Sequence, residues 1–155
     1  MAPTVDLDAA AIAIRVAAAL LAGAILGIDR ELKRKPAGLR THALVAIGAA
    51  VVVLITIGSS QGDADAVSRA IQGIITGIGF LGAGVIMQHE EEGRVEGLTT
   101  AASIWVAAAL GIACGAGLVE LVAIALGAVL LVMIGGAPIE RMLNRRGKPP
   151  GADRE

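Results

Sequence analysis

What this sequence lacks narrows it first. It has one cysteine, Cys114, so neither a disulfide framework nor a multi-cysteine metal site can form within one chain. Aromatic residues make up 1% of the 155 positions, so the 55% hydrophobic content is almost all Ala, Leu, Ile and Val. A net charge of −1 leaves no overall basic field, and nucleic acid is not an expected partner. Nothing in the chain resembles a catalytic triad or a metallohydrolase cluster. No enzyme, no catalytic residue and no cofactor is therefore expected. No long linker, second domain or long-period repeat is visible.

What is present is apolar sequence in long blocks. A soluble domain of this length would need more polar surface to cover itself. A spanning helix needs about 20 apolar residues to cross about 30 Å of hydrocarbon. Five blocks come close: Ala9–Ile28, Leu39–Gly58, Ala70–Met87, Leu98–Cys114 and Leu118–Ile134. The expected fold is an all-α membrane protein, a compact bundle of about five transmembrane helices. Gly115-Ala116-Gly117 reads as a tight turn joining the last two blocks into a hairpin; a second reading has that hairpin re-entrant. The expected division is a transmembrane domain over 1–139 and a flexible basic tail over 140–155 containing Pro149-Pro150-Gly151.

The first block does not read as a signal peptide. Asp6 and Asp8 precede it and Arg15 interrupts it. Positive charge follows it instead, at Arg30, Lys33, Arg34, Lys35 and Arg40, which predicts a cytoplasmic first loop and an outside N-terminus. Five crossings then put the C-terminus, with Arg141, Arg145, Arg146 and Lys148, in the cytoplasm as well.

That threading gathers polar residues at the cytoplasmic end: Asp29, Arg30 and Glu31; Arg40, Thr41 and His42; Glu96, Thr99 and Thr100. The N-termini of the second and fourth helices point there too. Their free N–H groups and partial positive charge suit an anion, with Thr41 and Thr99 or Thr100 as candidate caps. Two readings stay open. The acids neutralise those termini and Arg40 as internal glue, or the face meets a ligand, ion or partner. Asp29, Glu31 and Glu96 are the metal candidates, hard oxygen donors that would suit Mg²⁺. Asp29 and Glu31, two residues apart, would not share a face of a continuing helix.

Arg15 is the costliest residue, at about 2.5–3.5 kcal/mol for an Arg mid-span. It shares a face with Ala18, Ala19, Ala22 and Gly23, a face suited to packing on protein. An ion pair with Glu120, at similar depth, is one expectation. Snorkelling to the outer headgroups and a role in a polar pathway are the alternatives. The third block carries Gly73, Gly77, Gly79, Gly82 and Gly84. Its literal dinucleotide fingerprint, Gly77-Ile-Gly79-Phe-Leu-Gly82, lies inside an apolar block with no preceding strand, so nucleotide binding is not expected. Close helix packing is the first reading of these glycines, and an unwound, ion-coordinating segment over Gly79–Gly84 the second. His42 reads as an interfacial polar residue, Trp105 as a packing residue, Ser103 as bonding within its own helix, and Glu90-Glu91-Glu92 as a solvated loop.

Four motifs, in this order, carry a resemblance: Gly27-Ile-Asp-Arg-Glu31; Pro36-Ala-Gly-Leu-Arg-Thr-His42; Gly77-Ile-Gly-Phe-Leu-Gly-Ala-Gly84; and Val95-Glu-Gly-Leu-Thr-Thr-Ala-Ala-Ser-Ile-Trp105. Together they resemble the MgtC/SapB family of bacterial membrane proteins, over about residues 9–137. Several members carry a C-terminal soluble domain of ferredoxin-like type, for which this chain is expected to be too short. The resemblance implies a multi-pass protein of the bacterial inner membrane, linked to growth at low magnesium and, in pathogens, to survival in host cells.

Two functions follow. One is a small regulatory or interaction protein, docking on other membrane proteins such as the rotary ATP synthase, without turnover and with homo-oligomers plausible. The other is a Mg²⁺ or other cation transporter or channel acting as an oligomer. The first is preferred, because no acidic residue lies in the hydrocarbon interior to draw a divalent ion across.

Overall fold

The computed structural model describes residues 7–87 and 97–146. Five helices form it: α1 (Ala9–Leu32), α2 (Leu39–Ser59), α3 (Ala64–Met87), α4 (Leu98–Ala116) and α5 (Val119–Arg146). Each is long and apolar enough to cross a membrane, both arms of the last hairpin included. Helices α1, α3 and α5 are longer than their apolar blocks. Asp29, Arg30 and Glu31 form the last turns of α1. The helix α5 carries Pro138 in its interior and continues to Arg146, past the boundary expected at 139.

Local chemistry sets the helix ends. Asp8 caps α1, its Oδ1 accepting from Ala11 N–H at 2.7 Å. Gly117 at φ 81° closes α4, with Gly117 N–H reaching Cys114 O and Leu118 N–H reaching Ala113 O, both 2.9 Å. A left-handed glycine with these two bonds is the usual way to end a helix in a tight turn.

The core lies among α1, α2 and α4 and is built mostly of alanine: Ala19, Ala22, Ala46, Ala50 and Ala107, with Leu26 and Leu110 filling the gaps. Such small side chains allow backbones to approach closely. Helix α2 is clasped between its two neighbours by glycines on both sides. A Cβ on Gly23 would lie 2.8 Å from Ala43 Cα, and one on Gly27 2.5 Å from Leu39 Cα. On the other side a Cβ on Gly111 would lie 2.8 Å from Ala46 Cα, and one on Gly115 2.7 Å from Ala50 O. Helix α3 leans on α4 and, less, on α2; α5 leans on α4.

Arg15 does not pair with Glu120. Its Nη1 donates to Gly115 O at 2.9 Å, and the only ion pair among the described residues is Lys33–Asp29. The reason is the end of α4. Its last carbonyls have no helical partner, and a cation at a helix C-terminus answers both the orphan acceptor and the partial negative charge. The expected small-residue face does pack on protein, with Ala19, Ala22 and Gly23 buried. Replacing Arg15 with Glu is expected to cost about 2 kcal/mol, the scale of a hydrogen bond to a charged group. Adding Glu120→Arg is expected not to restore it. Thermal unfolding in detergent reads both, and recovery in the double swap would show an ion pair after all.

Candidate functional site

The three packed helices bring four polar side chains into one buried cluster at the end of the bundle where α1 finishes and α2 and α4 begin. Arg30 is 4% exposed, His42 0%, Thr100 2% and Ser103 4%. Arg30, from the last turn of α1, donates from Nη2 to Thr100 Oγ1 at 2.6 Å. Ser103 Oγ lies 2.7 Å from Thr100 O, one turn back on α4, and 2.9 Å from His42 Nε2. His42 Nδ1 lies 2.9 Å from Gly38 O. A carbonyl oxygen only accepts, so Nδ1 carries a proton, and in a neutral ring Nε2 is an acceptor facing the Ser103 hydroxyl, which is also within reach of Thr100 O. The chain of contacts runs from α1 through α4 to α2 and ties three helices with side chains alone.

Arg30 Nε has no partner among the described residues. Its charge is set against the C-terminal end of α1, where a cation is favoured. No carboxylate touches the guanidinium among the described residues: Asp29 is held by Lys33 at 2.8 Å, and Glu31 Oε2 accepts from Leu39 N–H at 3.2 Å, the first amide of α2. Lys33 also donates to Met133 O at 3.1 Å and ties α1 to α5. The Glu31 carboxylate occupies the place a side chain at 38 would need, which explains glycine there.

The sequence-derived site is thus sorted by the structure. Arg30, His42 and Thr100 meet; Asp29 and Glu31 diverge to separate partners; Arg40 and Thr99 are exposed and Thr41 is half-buried. Neither Thr41 nor the Thr99-Thr100 pair caps a helix. The caps are Gly38 and Gly97, without a side-chain bond. His42 is fully enclosed rather than interfacial, because α4 crosses directly over it. Ser103, which the sequence placed only within its own helix, is the bridge to His42. Its signal was the i,i+3 spacing from Thr100, which puts both on one face of α4. Glu96 and Glu90-Glu91-Glu92 lie outside the described residues. Among those described, no group of three metal-ligating side chains converges. A groove of about 280 Å³ runs along α4 and α5, lined by Thr99, Ser103, Val106, Val129 and Met133.

The glycines of α3 do not make the close contacts expected within the chain. A Cβ on Gly73, Gly77, Gly79 or Gly84 would meet nothing within 4 Å; only Gly82 faces a neighbour, Ala101 Cβ at 3.6 Å. Helix α3 is unbroken through all of them, so no carbonyls are opened to an ion there. Trp105 is 47% exposed, on the outside of α4.

Comparison with known proteins gives these features a lineage. The chain is 41% identical over 142 residues to protein SrpB of Synechococcus elongatus, an alignment covering 84% of this chain and 78% of that one. It is 47% identical over 104 residues to protein MgtC of Salmonella typhimurium, covering 67% of this chain and 43% of the relative. With protein MgtC of Brucella abortus it shares 41% identity over 137 residues, 88% of this chain and 56% of the relative. The chain thus spans about half the length of these MgtC relatives. No solved structure matches it. The family model described as the MgtC family matches residues 16–142, which takes in most of α1, all of α2 to α4 and the greater part of α5. This chain belongs to the MgtC family.

Proposed function

We propose that this chain is a regulatory or interaction protein of the bacterial inner membrane, tied to growth at low magnesium, that acts by contact with other membrane proteins and turns over no substrate. In this reading the Arg30–His42 end faces the cytoplasm, as the basic loop Arg30–Arg40 predicts. The observation that carries it is the closed interior. The space among α1, α2 and α4 is filled by alanine and leucine, and the buried polar side chains there bond to one another. No carboxylate lies buried among the described residues. An ion crossing such a core would have to shed water with nothing to replace it, a cost of tens of kcal/mol in the Born limit.

The test is flux. Vesicles holding the purified full chain are expected to show Mg²⁺ entry no faster than empty vesicles, read with an internal Mg²⁺ dye. Entry well above the empty vesicles, abolished by Asp29→Asn or Glu31→Gln, would establish transport and overturn the proposal.

A further inference from the structure

Helix α3 differs from the other helices in what it shows to its surroundings. The outward faces of α1 and α5 carry large aliphatic side chains such as Ile14, Leu21, Leu131 and Ile134, as a lipid-facing surface should. Besides Ala64, Ser68, Gly79 and Leu81, the exposed residues of α3 are Asp65, Arg69, Gln72, Gly73, Thr76, Gly77, Phe80, Ala83 and Gly84. Their three- and four-residue steps form one continuous stripe down the helix, the spacing of a helix–helix seam.

Two features of this stripe are unfavourable against lipid, and its end near Asp65 carries two charges. Its glycines leave backbone uncovered, since a Cβ on Gly73, Gly77 or Gly84 would meet nothing within 4 Å. Gln72 places a carboxamide in the apolar layer. With α3 centred in about 30 Å of hydrocarbon at about 1.5 Å per residue, Gln72 lies about 10 Å inside. Its Nε2 reaches Ser68 Oγ at 3.3 Å, while its side-chain oxygen Oε1 accepts nothing among the described residues. Asp65 and Arg69, one turn apart, form no ion pair there either.

We propose that this stripe is the surface on which a second copy of the chain docks, α3 against α3, about a twofold axis along the membrane normal. Copies inserted the same way bring like depths together. The carboxamide of Gln72 both donates and accepts, so it is its own complement across the axis. Arg69 of each copy comes within reach of Asp65 of the other, so the charges complement without help from a third chain. Gly73 and Gly77 let the two backbones close at the crossing. Phe80, 84% exposed, has the hollow over the neighbouring copy's Gly77 and Gly84 to fill. Any other partner would have to supply an amide and both charges at matching depths. This goes beyond the contact-protein reading and does not rest on it, since a transporter could pair through the same face.

The experiment uses the full chain in lipid vesicles, with Cys114→Ala as background. Thr76→Cys is expected to give a covalent dimer on mild oxidation, and Ile124→Cys, exposed on α5, is expected to give little. Energy transfer between donor- and acceptor-labelled copies is expected to weaken at least tenfold in apparent dimer affinity with Gly77→Leu. Gly127→Leu is the matched control, since a Cβ there also meets nothing within 4 Å, and it should leave the affinity unchanged. Asp65→Arg should weaken pairing, and adding Arg69→Asp should restore it. A chain that stays monomeric at every protein-to-lipid ratio overturns the proposal. So does pairing that survives Gly77→Leu, or cross-linking at 124 as efficient as at 76.

Discussion

Alanine in place of Gly111 is expected to destabilise the bundle by about 3 kcal/mol, the upper part of the range for overpacking a tight core. The added methyl would lie 2.8 Å from Ala46 Cα and 2.9 Å from Ala46 C. These are backbone atoms, which no rotamer change moves away. Helix α2 cannot simply retreat. Gly23 of α1 stands on its other side, where a Cβ would already be 2.9 Å from Ala46 Cβ. Shifting α2 away from α4 therefore drives it into α1, and relief needs all three helices to separate. The surrounding alanines have no longer side chains to shorten in compensation. Gly127→Ala is the contrast. Nothing lies within 4 Å of its Cβ position, and alanine favours a helix over glycine by up to about 1 kcal/mol. Thermal unfolding of both variants in one detergent decides the matter. A Gly111→Ala protein that melts with the parent would show that α2 and α4 are not in contact at this point.

The same pair of glycines shows what the sequence could and could not reveal. The spans were legible because hydropathy over some twenty residues is a property of the chain alone. The α4–α5 turn was legible too, because Gly115-Ala116-Gly117 offers the left-handed residue such a turn requires. The role of each glycine was not. Gly23 and Gly27, and Gly111 and Gly115, have the same four-residue spacing as Gly73 and Gly77. Spacing says that a face is small, not whether protein or lipid lies against it. The dense motif on α3 drew the expectation of internal packing, whereas the glycines that hold the fold sit inconspicuously among alanines. Arg15 failed for a related reason. Matching its depth to Glu120 was sound, but the competing acceptor was a backbone carbonyl at the end of α4, which carries no side-chain signature. Within the polar face, Arg30, His42 and Thr100 were found because charge and topology place them at one end. Their enclosure, and the part played by Ser103, depend on how α4 crosses α2, which side-chain type does not encode.

The lock between α2 and α4 makes the second large prediction. His42→Ala is expected to cost about 3 kcal/mol, from the cavity left by a fully enclosed ring and the loss of its hydrogen bonds. Ser103→Ala should cost less, about 1–2 kcal/mol, by stripping Nε2 of its partner. The double variant is the informative one. Two residues in contact within one network should be coupled by about 1 kcal/mol or more, so the double variant should lose less than the sum. Additive losses would mean that the 2.9 Å contact is not a hydrogen bond that matters. Proton arithmetic gives the coupling its character. The three contacts among Gly38 O, the His42 ring, Ser103 Oγ and Thr100 O need three protons, while a neutral ring and one hydroxyl supply two. The serine proton can therefore serve His42 or Thr100 O, but not both together. Removing His42 frees it for Thr100 O, which softens the loss on that side. Removing Ser103 leaves Nε2 without a donor, while Thr100 O keeps the Ile104 N–H of the helix. The serine is thus the hinge of the network, and Arg30, held at Thr100 Oγ1 on the same turn of α4, keeps the α1 end of the lock whichever way that proton points.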